Sequence, residues 1–375
     1  MSTRVALVGV NGHGRWHLDN IARLAATGSV TLAAACDLAP VQADSGRILD
    51  ALDAPLFTSY EKLLDATQPA VVVLVTPPAT HLPLATQAMA AGADVLVEKP
   101  ATVRLDELDT LIETAGRLGR LCQIGFQSSG SYAPERIAET FAAGTLGPLR
   151  QVYAAGAWSR PPAYFRRAPW AGRRFLNGAA VGDGALANPF AHALMNCLRI
   201  AGVTGEAVAG FETELYHAND IESDDTSSVR LRRDGLTVNL AVTLAADRLV
   251  EPYLVAAGEH GALRWQYTTD ELWLDRDGTA IQDGTAIRVD LPPARDLLPD
   301  LLDARASGRE PLCPPRHCRA FTALSERLLD GPEPAPIGAS HLTGTDPVTV
   351  AGVTDLVVRA AAAGELFSEA GATWA

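Results

Sequence analysis

The chain has 375 residues, enough for two domains that each bury a core. A net charge of −13 argues against a nucleic-acid partner, which needs clustered positive charge. No apolar run reaches the roughly 20 residues of a membrane span, so no membrane partner is expected.

The first residues read as a strand entering a turn, whereas a signal peptide would show a basic head and a cleavage site. Five scattered cysteines (Cys36, Cys122, Cys197, Cys313, Cys318) do not make a disulfide framework, and a cytoplasmic location is expected. Cys313, His317 and Cys318 raise the question of a metal. No second ligand pair accompanies them, and no metal site is expected.

Residues 4–8 form a short apolar run suited to a buried parallel strand. Gly9, Val10, Asn11, Gly12, His13 and Gly14 follow, and a helix is expected over 15–26. A second strand, 30–36, ends at Asp37. Strand, glycine turn, helix, strand and acid match a dinucleotide fingerprint. The glycines admit a pyrophosphate, the helix N-terminus supplies N–H groups, and the acid binds ribose hydroxyls. Asn11 stands where the second glycine of the usual spacing falls, and asparagine tolerates positive φ better than most residues. Asp37 favours NAD over NADP, because a carboxylate repels a 2′-phosphate and Leu38 and Ala39 bring no cation.

The alternation continues with a strand at 71–75 ending at Thr76, and a helix to about residue 91. A strand at 94–97 ends in Glu98-Lys99-Pro100. A helix at 105–118 then leads to a strand at 121–125. Ligands of open parallel sheets bind beyond the carboxyl ends of the strands, so Gly9, Asp37, Thr76, Lys99 and Gln127 are expected in one crevice. Only two of the 31 basic residues are lysine, Lys62 and Lys99. Composition alone leaves Lys99 open to being a survivor of arginine bias. Its strand-end position points instead to a task guanidinium cannot do, since a desolvated lysine can exchange a proton.

These motifs resemble the N-terminal domain of the Gfo/Idh/MocA group, named for glucose-fructose oxidoreductase, inositol dehydrogenase and rhizopine catabolism. The resemblance is specific through residue 127 and looser beyond. It implies an α/β chain: a Rossmann domain over 1–126, then an α+β domain over 127–375 carrying a large, open, mostly antiparallel sheet used for oligomerisation. It implies an NAD(P)-dependent oxidoreductase moving hydride between nicotinamide and a carbinol or keto carbon of a sugar, cyclitol or related polyol. Gly9, Asn11, Gly12, His13, Gly14, Asp37, Thr76, Pro77, His81, Glu98, Lys99 and Gln127 are then cofactor-site candidates. Lys99 would also reach the reacting hydroxyl, and the Lys99–Pro100 peptide would be cis.

The resemblance places the family histidine at His192, but Asn188 stands where an aspartate is usual and Met195 where a further aspartate often falls. Asparagine can orient a substrate but cannot accept a proton. Proton handling would rest with Lys99 and His192, and Asp183 is the nearest spare carboxylate, although Asp-Gly is also an ordinary turn. Residues 160–174 hold five arginines, three aromatics and three prolines and read as a stiff loop. Tyr164, Arg166 and Trp170 there are candidate substrate contacts; the other reading is a surface loop pinned by its aromatics.

Further on, strands are expected at 208–215, 226–232, 236–244, 253–257, 262–267 and 271–275, with turns at Asp234-Gly235 and Asp277-Gly278. Successive hairpins imply an antiparallel sheet whose open face is most simply covered by a second subunit, giving a homodimer or homotetramer. The acidic run 221–225 is read as a solvated turn, and helices are expected at 296–306, 319–329 and 350–363. Two other functions remain open: an NAD-retaining enzyme that cleaves glycosides by transient oxidation, and a non-catalytic NAD(P)-binding sensor.

Overall fold

A computed structural model describes residues 2–276 and 286–375. The expected Asp277-Gly278 turn lies outside the described residues. The chain forms two compact units, one of residues 1–127 and 295–318, the other of residues 128–294 and 319–375. The return of 295–318 to the first unit departs from a division into two consecutive segments.

The first unit alternates β1 (Thr3–Val8), α1 (His13–Ala26), β2 (Val30–Cys36), α2 (Ala43–Ala51), β3 (Leu56–Phe57), α3 (Tyr60–Thr67), β4 (Val71–Leu74), α4 (His81–Ala90), β5 (Asp94–Glu98), α5 (Leu105–Leu118) and β6 (Cys122–Gly125). The strands pair in parallel in the order β3-β2-β1-β4-β5-β6. That is the doubly wound order of dinucleotide-binding sheets. All four residues of β4 are buried, as a parallel strand covered on both faces requires.

Residues 295–318 supply the helix Leu297–Ser307, whose Leu297, Leu298 and Leu301 join the core formed by Val5, Leu7, Leu18, Ile21 and Leu96. Gln123 on β6 fixes this return: its amide donates to Leu297 O, and its Oε1 accepts the Cys313 N–H at 3.2 Å. A polar side chain in the middle of a buried strand is thereby satisfied.

The second unit holds α6 (Ala133–Ala142), β7 (Leu149–Ser159), the two-residue strands β8 (Phe175–Leu176) and β9 (Ala179–Ala180), α7 (Ala191–Ile200), β10 (Glu212–His217), β11 (Thr226–Arg233), β12 (Leu236–Thr243), β13 (Ala245–Gly258), β14 (Gly261–Gln266), β15 (Glu271–Asp275), β16 (Ile287–Val289), α8 (Arg319–Asp330), β17 (Ala335–Pro336) and α9 (Val353–Ala363). Its open sheet runs β16-β15-β14-β13-β7-β12-β11-β10-β17. It is antiparallel except for the β7–β12 and β10–β17 pairs. Asp234 and Gly235 turn β11 into β12 with φ of 51° and 77°, the left-handed pair of a tight hairpin.

Both faces of the central strands are covered from within this unit. Ala155, Ala241, Tyr253 and Val255 pack on Val353, Leu356, Val357 and Ala360 of α9. On the opposite face Ala256, Leu263 and Trp265 pack on Ala133 and Ile137 of α6. The sheet centre therefore needs no second subunit to cover it.

The acidic run at 221–225 is not a solvated turn. Asp224 and Asp225 are buried, and burial raises both carboxyls. Asp225 accepts the Ala218 and Asn219 N–H groups, and Asp224 accepts that of Ala185. The two carboxylates tie the entry of β11 to neighbouring loops, because bonding at short range to N–H donors is what makes burial of a charge tolerable.

Candidate active site

The candidate residues fall into one group in each unit. In the first, β1, β2, β4, β5 and β6 deliver Gly9, Asp37, Thr76, Lys99 and Gln127 at or just beyond their carboxyl ends. The glycine turn requires its glycines. A Cβ on Gly9 would stand 2.2 Å from Val75 O, and one on Gly14 would stand 2.0 Å from Gly9 O. Gly9 and Gly12 take the positive φ values of the turn, 86° and 56°. Asn11 does not, contrary to the reason given for tolerating it. Its side chain is a brace: Oδ1 accepts the Gln42 N–H at 2.9 Å, and Nδ2 donates to Asp37 Oδ2 at 3.3 Å.

Asp37 is held by the same turn. Oδ2 accepts the Val10 N–H and Oδ1 accepts the Ala39 N–H, both at 2.9 Å. Helix α1 begins at His13 with no side-chain cap and no acid in its first turn. Its leading N–H groups thus present positive potential where a pyrophosphate would lie. Close-packed glycines, an uncapped helix start and a fixed carboxylate together fit a dinucleotide.

At the end of β5, Glu98 is buried and heavily bonded. Oε1 accepts from His17 Nε2 and Gln127 Nε2, each at 2.8 Å, and Oε2 accepts the Lys99 N–H at 3.0 Å. Burial pushes this carboxyl upward, but hydrogen bonds from His13 and His17 and the charge of both rings outweigh it and hold Glu98 well below the usual carboxylate range. Gly125 makes the room: a Cβ there would lie 2.8 Å from Glu98 Oε1. Lys99 is half-buried and its bond to Pro100 is cis.

Thr76 accepts a bond from Thr80 Oγ1 at 2.7 Å, and Pro77 leads into a short helical turn over Pro78–Thr80. His81 is buried, with Nε2 at 2.8 Å from Thr76 O and Nδ1 at 2.9 Å from Pro100 O. Its ring clamps the two strand-end loops together, so it supports the site from behind rather than facing a ligand. Burial lowers its pKa, against carbonyl contacts that raise it.

In the second unit, His192 lies in the first turn of α7, with Nδ1 2.9 Å from Ser128 Oγ and its ring stacked on Tyr267. Ser128 also accepts from Asn196 Nδ2 at 3.0 Å, which leaves its proton and one lone pair for His192. Asp183 is not a spare carboxylate. It is buried and accepts from Arg167, from the Gly172 N–H at 2.8 Å and from Asn188 Nδ2 at 2.6 Å. It therefore fixes both the 160–174 loop and Asn188.

In that loop Arg167 lies over the rings of Tyr164, at 4.0 Å, and Trp170, at 4.6 Å. Arg166 is exposed. The aromatics are thus engaged by an arginine the sequence reading passed over. Other supports it missed are His17, Gly125 and Ser128. His13 and His17 at i, i+4 was the one visible signal.

Among the described residues, the ligand-type side chains that converge are His13, His17 and Glu98, not the Cys313–Cys318 run. No helix of the described residues is long and apolar enough to cross a membrane.

Sheet order, glycine turn and fixed acid define an NAD(P)-binding Rossmann domain, a fold typical of dehydrogenases and reductases. Residues 3–126 match the model of the oxidoreductase family with NAD-binding Rossmann fold. Over these residues the chain resembles the NAD-binding domain that the family model describes.

Over 136 residues it is 29% identical to the inositol 2-dehydrogenase/D-chiro-inositol 3-dehydrogenase of Lactiplantibacillus plantarum, covering 36% of this chain and 38% of that protein. Over 132 residues it is 32% identical to a glycosyl hydrolase family 109 protein of Shewanella amazonensis, covering 32% of this chain and 28% of that one. The matches thus span less than half the length of these curated relatives. In fold, the chain is similar to the WlbA dehydrogenase of Bordetella pertussis, solved with NADH and UDP-GlcNAcA. The TM-score is 0.70 at 21% identity, covering 90% of this chain and all of that one.

Proposed function

We propose that the protein is an NAD-linked dehydrogenase or reductase of a cyclitol, sugar or related polyol. The observation that carries this reading is Lys99. One of two lysines in the chain, it stands at the end of β5 in the unit that holds the glycine turn and Asp37, next to a carboxylate fixed by three donors. Similarity to an inositol dehydrogenase supports the substrate class.

The dinucleotide, when bound, supplies the hydride acceptor or donor, and the chain supplies binding, orientation and proton handling. The α1 N-terminus and Gly9 to Gly14 would hold the pyrophosphate, and Asp37 the adenosine ribose. Lys99 would take the hydroxyl proton in oxidation or polarise the carbonyl in reduction. For His192 we propose proton handling and for Asn188 substrate orientation, with Tyr164, Arg166 and Trp170 as substrate contacts. Incubation of the purified chain with inositols, sugars and polyols, first with NAD and then with NADP, tests the reading through NADH or NADPH absorbance. A panel in which no polyol changes that absorbance would remove it.

Asp37 should make NAD bind more tightly than NADP, and Asp37→Ala should narrow the gap mainly by improving NADP. Calorimetry that gave equal affinities for the unaltered protein would sink this assignment. Self-association through the second-unit sheet would have to use its outer strands, because α9 and α6 cover the centre. Light scattering should then give a multiple of the 39.5 kDa chain mass, and a monomer would remove the proposal.

A second reading follows from the glycosyl hydrolase relative: transient oxidation that cleaves a glycoside without net redox. Asn188 in place of an acid is compatible with it. Release of nitrophenol from nitrophenyl glycosides without NADH accumulation would favour it over net dehydrogenation.

A further inference from the structure

We propose that His13, His17 and Glu98 form a binding site for a divalent transition metal of the zinc, cobalt or nickel kind. The two histidines stand four residues apart at the start of α1, so their rings share a helix face. Both Nε2 atoms are aimed at one oxygen, Glu98 Oε1, at 3.3 Å from His13 and 2.8 Å from His17. All three donor atoms lie within 4.8 Å of one another. Zinc takes imidazole nitrogen and carboxylate oxygen at about 2.0–2.2 Å, which puts neighbouring donors of its sphere about 3 Å apart. The spacing to Oε1 already has this value.

Hydrogen bonding alone crowds three donors onto one carboxylate oxygen. Oε1 has two lone pairs in the carboxylate plane, and His17 and Gln127 reach it at 2.8 Å each. His13, at 3.3 Å, makes the longest of the three contacts. A cation in place of the His17 proton would engage both imidazole nitrogens and one Oε1 lone pair, while Gln127 kept the other. Oε2 would stay on the Lys99 N–H at 3.0 Å, so the ligating carboxylate is oriented from behind, as metal-binding carboxylates usually are.

Two imidazoles and one carboxylate suit borderline cations and not calcium or magnesium, which prefer all-oxygen shells. His17 and Glu98 are buried, whereas the His13 side chain is 53% exposed, so the site would open to water on one side. The His13 ring stacks on Trp16, and a small cavity lined by Trp16, His17 and Gln127 adjoins the cluster. The inference requires neither substrate nor dinucleotide, so it stands or falls apart from the hydride-transfer reading.

The test is titration of the metal-free full-length protein with cobalt(II), read by its visible ligand-field absorption. The expected result is saturation at one equivalent, and loss of the band when zinc is added. His13→Ala changes an exposed position and should keep the circular dichroism of the parent, yet weaken cobalt binding about tenfold or more. Glu98→Gln, which keeps the side-chain shape, should weaken it likewise. Absence of a saturable band in the parent protein would overturn the proposal. So would a His13→Ala or a folded Glu98→Gln variant that titrates like the parent.

Discussion

Lys99→Met and Lys99→Arg should both lose turnover by roughly 10²-fold or more, the range that general acid–base groups supply. Methionine keeps the approximate length but removes the charge and the donors. Arginine keeps the charge but enlarges the head and fixes its protonation. NAD affinity should fall far less, because the proposed cofactor contacts lie at Gly9 to Gly14 and Asp37, on β1, β2 and the start of α1. The buried Glu98 beside it keeps His17 and Gln127 as partners in either variant, so the end of β5 should hold its shape. Steady-state turnover together with calorimetric NAD binding separates the possible roles. Loss in turnover with binding intact assigns proton transfer or carbonyl polarisation. Loss in NAD affinity, partly rescued by arginine, would make Lys99 an anchor of the nicotinamide ribose. Near-normal turnover of the arginine variant would make it a survivor of arginine bias.

The parts of this arrangement that could be read from sequence are those that a local pattern encodes. An apolar run ending in a glycine turn, and another ending in Asp37, announce a parallel strand and its ligand-facing end. Glu98-Lys99-Pro100 after an apolar strand does the same for β5. Strand β7 escaped because residues 154–157 are Ala-Ala-Gly-Ala, which lack the β-branched signal. The structure gives the reason for their size: a Cβ on Gly156 would stand 2.5 Å from the Phe190 ring. Close packing at that position favours the residues that hide the strand.

The supports of the site were hidden differently. His17 and Gly125 meet Glu98 from separate elements, and Ser128 meets His192 from 64 positions away. Of these, only His17, four residues after His13, has a spacing that marks it. The partners of Asp183 were hidden for the same reason. An Asp-Gly pair looks like a turn or a spare acid, and only the fold shows Arg167, Gly172 and Asn188 converging on it. The return of 295–318 rests on Gln123, a polar residue inside a buried strand whose partners lie 174 and 190 residues on.

Gly14→Ala should remove most NAD binding while leaving the rest of the fold in place. The added methyl would stand 2.0 Å from Gly9 O, a contact no rotamer can relieve because both atoms belong to backbone. Either Gly9 or the first turn of α1 has to move. Gly9 has little freedom: its own N–H is bonded to Cys36 O at 2.8 Å, and its Cα already faces Val75 O too closely for a side chain. The displacement therefore falls on the α1 N-terminus, where the proposed pyrophosphate donors are. Overpacking of this kind costs about 1–3 kcal/mol of stability. A shift of the donors should raise the NAD dissociation constant tenfold or more, which is about 1.4 kcal/mol. Gly46→Ala in α2 is the matched control. A Cβ there meets nothing within 4 Å, and alanine is the better helix former, so stability should hold or rise and NAD affinity should not change. Thermal melts and NAD calorimetry on the two variants give the comparison, and unchanged NAD affinity in Gly14→Ala would remove the glycine turn as the pyrophosphate cradle.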